Sequence, residues 1–256
     1  TVVLFGYLLL NIIISRVTLD AERKGIAPPK WVKPIIILSI PWAFSIHTVT
    51  AFLYSGLAAR PFWMTAILAP RFLASAFATG PALLILLCLL LRKLTKFDVG
   101  KEPIQKLAVI ATYAMAVNVF FVLMELFTAL YADMPEHVAH FQYLFVGIDG
   151  HSSYVGWMWL SSALAILSLV LLFNPKARKN HKWLVFASIA VVLSLWIDKG
   201  LAMVVAGFVP GVLGHVTDYA PTVPELLISL SIYAMGALLI TGLYKIALTV
   251  RHQLRS

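Results

Sequence analysis

"TAILAPRFLASAFATGPALLILLCLLL", residues 65–91, decides the fold. It is an apolar run with one charge in it, Arg71. The run exceeds the about 20 residues that a bilayer-spanning helix needs. Its second half, "GPALLILLCLLL", does not alternate. A transmembrane barrel strand would alternate apolar and polar residues over about ten positions. The stretch is therefore a membrane helix, which satisfies its backbone groups along its own length.

Working outward, the chain of 256 residues is 61% hydrophobic and only 12% charged. A soluble domain carries about 25% charged residues. Apolar segments suited to spanning fall at 1–15, 33–56, 62–91, 104–131, 153–173, 183–206 and 225–249. The reading is an all-α membrane protein, a polytopic transmembrane helix bundle with seven spans. The first segment is short: Arg16 closes it, Thr1 opens it, and no signal-peptide charge pattern precedes it. This predicts that the sequence begins part-way through a helix, with something upstream missing.

The charges set an orientation. Of 20 Lys and Arg, 17 fall in 16–33, 92–106, 176–182 and the tail from Lys245. The alternate loops hold only Arg60 and Lys199. The positive-inside rule puts the lysine-rich loops and the C-terminus in the cytoplasm and the first residue outside. The net charge of +9 is thus a topology signal and not a nucleic-acid footprint.

Four ionisable residues then fall in the outer half of the spans. At about 1.5 Å per residue, His47 lies about 4–5 Å outward of its span's midpoint, Asp198 about 5–6 Å, Arg71 about 7–8 Å and Glu125 about 11–12 Å. A charge near a helix centre costs roughly 2.5–3.5 kcal/mol on insertion scales, and intramembrane charges pair or line a pathway. A shared polar cavity opening outward is expected, with Glu125 as the partner of Arg71, directly or through water. Helical spacing puts Thr50 and Tyr54 on the face of His47, Ser75 one turn from Arg71, Asn118 two turns from Glu125, and Ser194 one turn from Asp198. Helix packing is the plainer role for Thr50, Tyr54, Ser75 and Asn118. Asp198, followed directly by Lys199, reads as near the interface. Pro41, Pro70 and Pro81 each remove a helical hydrogen bond and free a carbonyl one turn back. Arg71 is a group able to satisfy one; a packing kink is the plain alternative.

The single cysteine, Cys88, rules out a disulfide framework and a four-cysteine iron–sulfur cluster within this chain. His47 is the only histidine well inside a span, so no facing pair offers two axial haem ligands. His137, His140, His151, His181, His215 and His252 read as loop residues. The HxxH of His137 and His140 is a weak metal signal, with interfacial polarity the plainer reading. No P-loop or dinucleotide fingerprint occurs. The loops 132–152 and 207–224, rich in aromatic residues, Gly and Pro, read as ordered caps or docking surfaces.

Four stretches carry a resemblance: "IPWAFSIHTVTAFLYSGLAARPFW" (40–63), "AILAPRFLASAFATGPALLILL" (66–87), "YLFVGIDGH" (143–151) and "WIDKGLAMVVAGFVPGVLGHVTDYAPTVPE" (196–225). They resemble the NrfD/PsrC-type membrane subunits and, within that family, the DsrP branch of the DsrMKJOP complexes. The similarity runs across essentially the whole chain. Asp198 and Asp218 stand where the family pattern has Glu, which keeps the charge on a shorter arm. The resemblance implies a subunit without haem or iron–sulfur cluster, in the prokaryotic cytoplasmic membrane and not catalytic by itself. It implies electron exchange between menaquinone and a ferredoxin-like iron–sulfur subunit on the outer face, beside other membrane and cytochrome subunits. It also implies two four-helix bundles: residues 1–56 close the first, on the quinone side, and 57–256 supply the second and the C-terminal helix. His47 falls beside the quinone bundle, and Arg71, Glu125 and Asp198 line the second, a proton route.

The residues themselves fit more than one role. Quinone chemistry couples electrons to protons, and a His with Thr and Tyr on one face supplies donors and a proton acceptor. Three readings stand: quinone contact through His47, Thr50 and Tyr54; proton conduction through Arg71, Glu125 and Asp198; or an anchor for an electron-transfer partner.

Overall fold

The computed structural model describes residues 1–95, 98–209, 211, 214–216 and 218–253, with side chains up to residue 249. Lys96 and Arg255 of the charge tally, and Pro210, Val212, Leu213 and Thr217 of the second long loop, lie outside the described residues. Among the described residues no strand forms; Ile148 and His151 make one isolated antiparallel bridge. Seven helices among the described residues are long and apolar enough to cross a membrane. The chain is an all-helical, multi-pass membrane protein.

The helices are α1 (Val2–Arg23), α2 (Val32–Ser55), α3 (Leu68–Leu94), α4 (Lys101–Tyr131), α5 (Pro135–Phe145), α6 (Val155–Phe173), α7 (Pro175–Lys179), α8 (His181–Trp196) and α9 (Val223–Gln253). A 3-10 turn covers Pro61–Trp63, and a π-helix, Ile197–Val205, continues α8 without a break. The chain divides into two compact units, Thr1–Ile46 with Tyr219–Ser256, and His47–Asp218.

The larger unit holds a four-helix bundle. α3 packs on α4 and α8, and α6 packs on α8 and α4, which closes the ring. Membrane helices gain nothing from the hydrophobic effect against lipid, so close backbone approach through small residues holds them together. Ala74, Ala78 and Ala82 form such a row on α3, and Ala108 and Ala111 of α4 and Ala187 and Ala190 of α8 are buried too; Ala78, Ala82, Ala108 and Ala187 share one core cluster. α6 and α8 are also joined by a reciprocal serine pair. Ser161 Oγ donates to Ser194 O at 2.9 Å, and Ser194 Oγ donates to Ser161 O at 2.8 Å.

One end of this bundle carries the lysines, where α7 and the N-termini of α4 and α8 meet. Asn174 and Asn180 cap α7 and α8 by accepting from Lys176 N and Lys182 N. The other end is closed by α5 and the 3-10 turn. Phe62 stacks on His140 with ring centroids 4.8 Å apart, and Trp63 is fully buried. Trp63 Nε1 donates to Met203 O at 2.8 Å, which ties the turn to the π-helix. Gly207 makes room for this indole: a Cβ there would overlap Trp63.

In the smaller unit α1 packs against α9. Trp42 Nε1 of α2 donates to Val3 O at 2.9 Å, and Gly6 gives the ring its space, since an added Cβ would meet Trp42 Cζ2 at 2.5 Å.

Several boundaries differ from the sequence reading. α1 runs on through Arg16 to Arg23. The third span starts at Leu68, because residues 61–67 turn on themselves first. Pro70 therefore sits in the first helical turn, where no backbone donor is required, and it frees no carbonyl. Pro41 and Pro81 do lie inside their helices. His137 and His140 belong to α5, His181 is the first residue of α8, and His252 falls within α9.

Candidate functional site

Arg71 is 5% exposed, one turn into α3. Its two terminal nitrogens part company. Nη1 donates to Glu125 Oε2 on α4, and Nη2 donates to Asp198 Oδ1 on the π-helix at 2.6 Å. The planar guanidinium suits this, because its donors diverge in a fixed fork. Asp198 Oδ2 in turn lies 3.4 Å from Lys199 Nζ, and that ammonium stands 5.3 Å from the centroid of the Phe72 ring, within cation–π reach. Two cations and two carboxylates thus share one buried site and sum to zero formal charge.

The π-helix explains how adjacent residues both reach it. Hydrogen bonds to the fifth residue on widen the turn, so consecutive side chains diverge less than on an α-helix. Asp198 and Lys199 accordingly lie on one side of the segment. Asp198 reaches Arg71 despite its short arm. Lys199, which the sequence reading counted with an outer loop, is inside the span His181–Val205 with its side chain 18% exposed. The signal that would have found it is the apolar "LAMVVAGF" that follows, which leaves no room for a loop at 199. Arg71 is also nearer the helix end than expected, about 15 Å from the centre of α3 at 1.5 Å per residue.

The other residues proposed for this site are buried but do not join the ion cluster. Ser75 Oγ donates to Phe72 O of its own helix at 2.8 Å. Asn118 is 3% exposed, and its Oδ1 has no hydrogen-bond partner among the described residues. Arg71 Nε is likewise unpartnered, and Ser194 bonds to Ser161 instead of Asp198.

His47, Thr50 and Tyr54 follow one another along the last turns of α2. His47 is half-buried and Thr50 exposed. Tyr54 packs edge-on against Trp63 and Phe72, with centroids 4.8 and 6.2 Å away. Phe72 therefore has Tyr54 on one contact and Lys199 on another.

Beyond the spans, His140 is 3% exposed against Phe62. Burial drives its pKa from the ordinary 6.5 down to about 4. Its Nδ1 engages the carbonyl of Glu136 on the preceding turn. The HxxH spacing is thus filled by a packed, neutral ring. Among the described residues no group of three or more His, Cys, Asp or Glu side chains is placed to hold a metal ion. Asp218 gathers the loop after α5: it accepts from Ser153 Oγ at 2.8 Å and Tyr143 OH at 3.1 Å, and pairs with His151 Nδ1 at 3.1 Å. The Ser153 bond and its neighbours hold the Asp218 carboxyl below its usual range, while burial pushes the Tyr143 phenol up.

Residues 2–209 match the family described as polysulphide reductase, NrfD. A Halobacterium salinarum protein, provisionally named as a membrane subunit of dimethyl sulfoxide reductase, is 24% identical over 229 residues, 80% of this chain and 50% of its own. The Hdr-like menaquinol oxidoreductase integral membrane subunit of Archaeoglobus fulgidus is 24% identical over 214 residues, 77% of this chain and 53% of its own. A selenate reductase subunit of Mesobacillus selenatarsenatis is 23% identical over 181 residues, 71% and 41% of the two chains. The chain spans about half the length of the curated relatives it matches.

Proposed function

Because this chain belongs to the polysulphide reductase NrfD family, we propose that it is the quinone-interacting membrane subunit of a respiratory electron-transfer complex. It exchanges electrons between menaquinol or menaquinone and an iron–sulfur subunit on the outer face, in a DsrMKJOP-like assembly. Residues 1–56 close the quinone-side bundle, and 57–256 form the second bundle and C-terminal helix. The complex sits in the cytoplasmic membrane with the C-terminus inside. The relative named as a menaquinol oxidoreductase membrane subunit supports the quinone. The observation that carries the reading is the buried, charge-balanced set Arg71, Glu125, Asp198 and Lys199 inside a membrane bundle.

Quinol and quinone differ by two electrons and two protons, so the subunit must bind a head group and move protons. His47 and Thr50 supply donors toward quinone oxygens from a face of α2 that stays accessible, and Tyr54 extends that face toward the bundle. Phe72, which packs edge-on with Tyr54 and has Lys199 over its ring, is a physical link from this face to the ion cluster. The alternative is a proton-conducting or anchoring subunit with no quinone site of its own. It is favoured by the pairing of Arg71 with two carboxylates at once, which also serves as a plain tie between three helical segments.

Two substitutions separate these readings. His47→Ala should lower quinol-dependent electron transfer and affinity for a quinone analogue. If both stay at the wild-type level, the quinone assignment to His47 is lost. Glu125→Gln keeps an acceptor for Arg71 but removes a charge. It should reduce protons translocated per electron in proteoliposomes while sparing quinone binding; unchanged stoichiometry removes the proton role.

A further inference from the structure

The lysine-rich end of the larger unit holds a cleft of about 750 Å³ lined by Lys101, Gln105, Lys179, Asn180, His181 and Lys182. No acid lines it. Two carboxylates close in sequence to Lys101 are occupied elsewhere: Glu102 pairs with Lys106 at 2.8 Å and Asp98 with Arg92 at 3.4 Å. Lys101, Lys179 and Lys182 make no ion pair among the described residues, although all three are exposed and close together around one cleft. Like charges so placed repel; the positive-inside rule accounts for their side of the membrane but not for their gathering around one cleft.

The backbone adds to the same field. α4 begins at Lys101 and α8 at His181, so two spanning helices point their N-terminal ends at the cleft, each with the partial positive charge of a helix start. Gln105 is fixed by donating Nε2 to Arg178 O at 2.9 Å, which holds α7 against α4. His181 Nε2 lies 3.3 Å from Arg92 Nη1. A guanidinium only donates, so Nε2 accepts and the ring proton sits on Nδ1. That Nδ1 has no hydrogen-bond partner among the described residues. The cleft is therefore surplus in donors and in positive charge, and it opens where two spans begin, at the level of lipid headgroups.

We propose that this cleft binds a phosphate-bearing anion, with Lys101, Lys179 and Lys182 neutralising it and the α4 and α8 N-termini orienting it. The chemistry is shared by the headgroup of an anionic phospholipid and by free phosphate. Basic pockets between spanning helices suit such headgroups.

The test uses the purified full chain in detergent and follows its thermal unfolding while one additive is titrated. The additives are phosphatidylglycerol, phosphatidylcholine and inorganic phosphate. Phosphatidylglycerol should raise the melting temperature well above the phosphatidylcholine control, and the triple variant Lys101→Gln, Lys179→Gln, Lys182→Gln should need roughly a hundredfold more lipid for the same shift. A shift produced by inorganic phosphate and lost in the variant identifies free phosphate as the source. Single Lys101→Gln or Lys182→Gln variants, each expected to weaken the response roughly fivefold, serve if the triple variant does not fold. Equal responses to phosphatidylglycerol and phosphatidylcholine, with none to phosphate, overturn the site. So does an anion response that survives the substitutions.

Discussion

Arg71 joins three helical segments through one side chain, and its removal leaves two buried carboxylates, Glu125 and Asp198, with Lys199 as the one cation of the cluster. Breaking a buried pair this way costs about 3–5 kcal/mol. Arg71→Leu should destabilise the chain by that much in denaturant unfolding in detergent, and Arg71→Lys should recover only part, because one ammonium cannot serve two diverging acceptors. A loss under about 1 kcal/mol for Arg71→Leu would mean that the cluster carries no structural weight. His140 makes a prediction of opposite character, outside the spans. Below pH 6.5 the unfolded chain takes up a proton that the folded ring refuses until about pH 4. Stability should therefore fall as pH drops through that window, by up to about 1.4 kcal/mol per pH unit. His140→Phe should flatten this slope in melting curves taken between pH 7.5 and 4.5. At this scale Arg71, Glu125 and Asp198 were legible in the sequence because charges within spans are rare. Lys199 was not, because a charge after another charge reads equally well as the end of a helix.

The element that arranges the site is the π-helix, and the 3-10 turn supports it. Trp63 reaches across to the Met203 carbonyl and fills the space that Gly207 leaves. Gly207→Ala forces the indole out and should cost about 1–3 kcal/mol as overpacking. Trp63→Leu alone should also destabilise, but the double variant should cost less than the sum of the two, a coupling that a double-mutant cycle in detergent measures. Strict additivity would show that the two do not share this contact. The spanning helices could be read from apolar length alone; α5 and α7, too short to span and lying in stretches read as loops, could not. The start of α3 could not, since "ARPFWMTAI" is apolar enough to extend the span and only its turn geometry separates it. The π-helix left no trace in composition, because it is a slip of one hydrogen-bond register and asks for no special residue.

At the scale of the molecule, lysines collect at one end of the larger bundle and aromatic packing closes the other. In our proposed orientation the lysine end faces the cytoplasm. A fluorescent protein fused to the C-terminus should then be bright in cells, and a fused alkaline phosphatase inactive; the reverse pattern would invert the topology. The quinone contacts we propose for His47, Thr50 and Tyr54 have no spacing signal of their own, since a half-buried His, an exposed Thr and a Tyr packed on Trp63 and Phe72 also suit ordinary helix packing. The ion cluster has a different consequence, an electrical one. Four charges that cancel feel no net force from the membrane voltage. Withdraw a single proton, and the site becomes a monopole in that field, worth about 2.3 kcal/mol per 100 mV for a full crossing. The tetrad lies near one face, so most of the insulating thickness is on its lysine-rich side. A proton exchanged between the cluster and that side would do more of its work against the voltage than one exchanged with the nearer face.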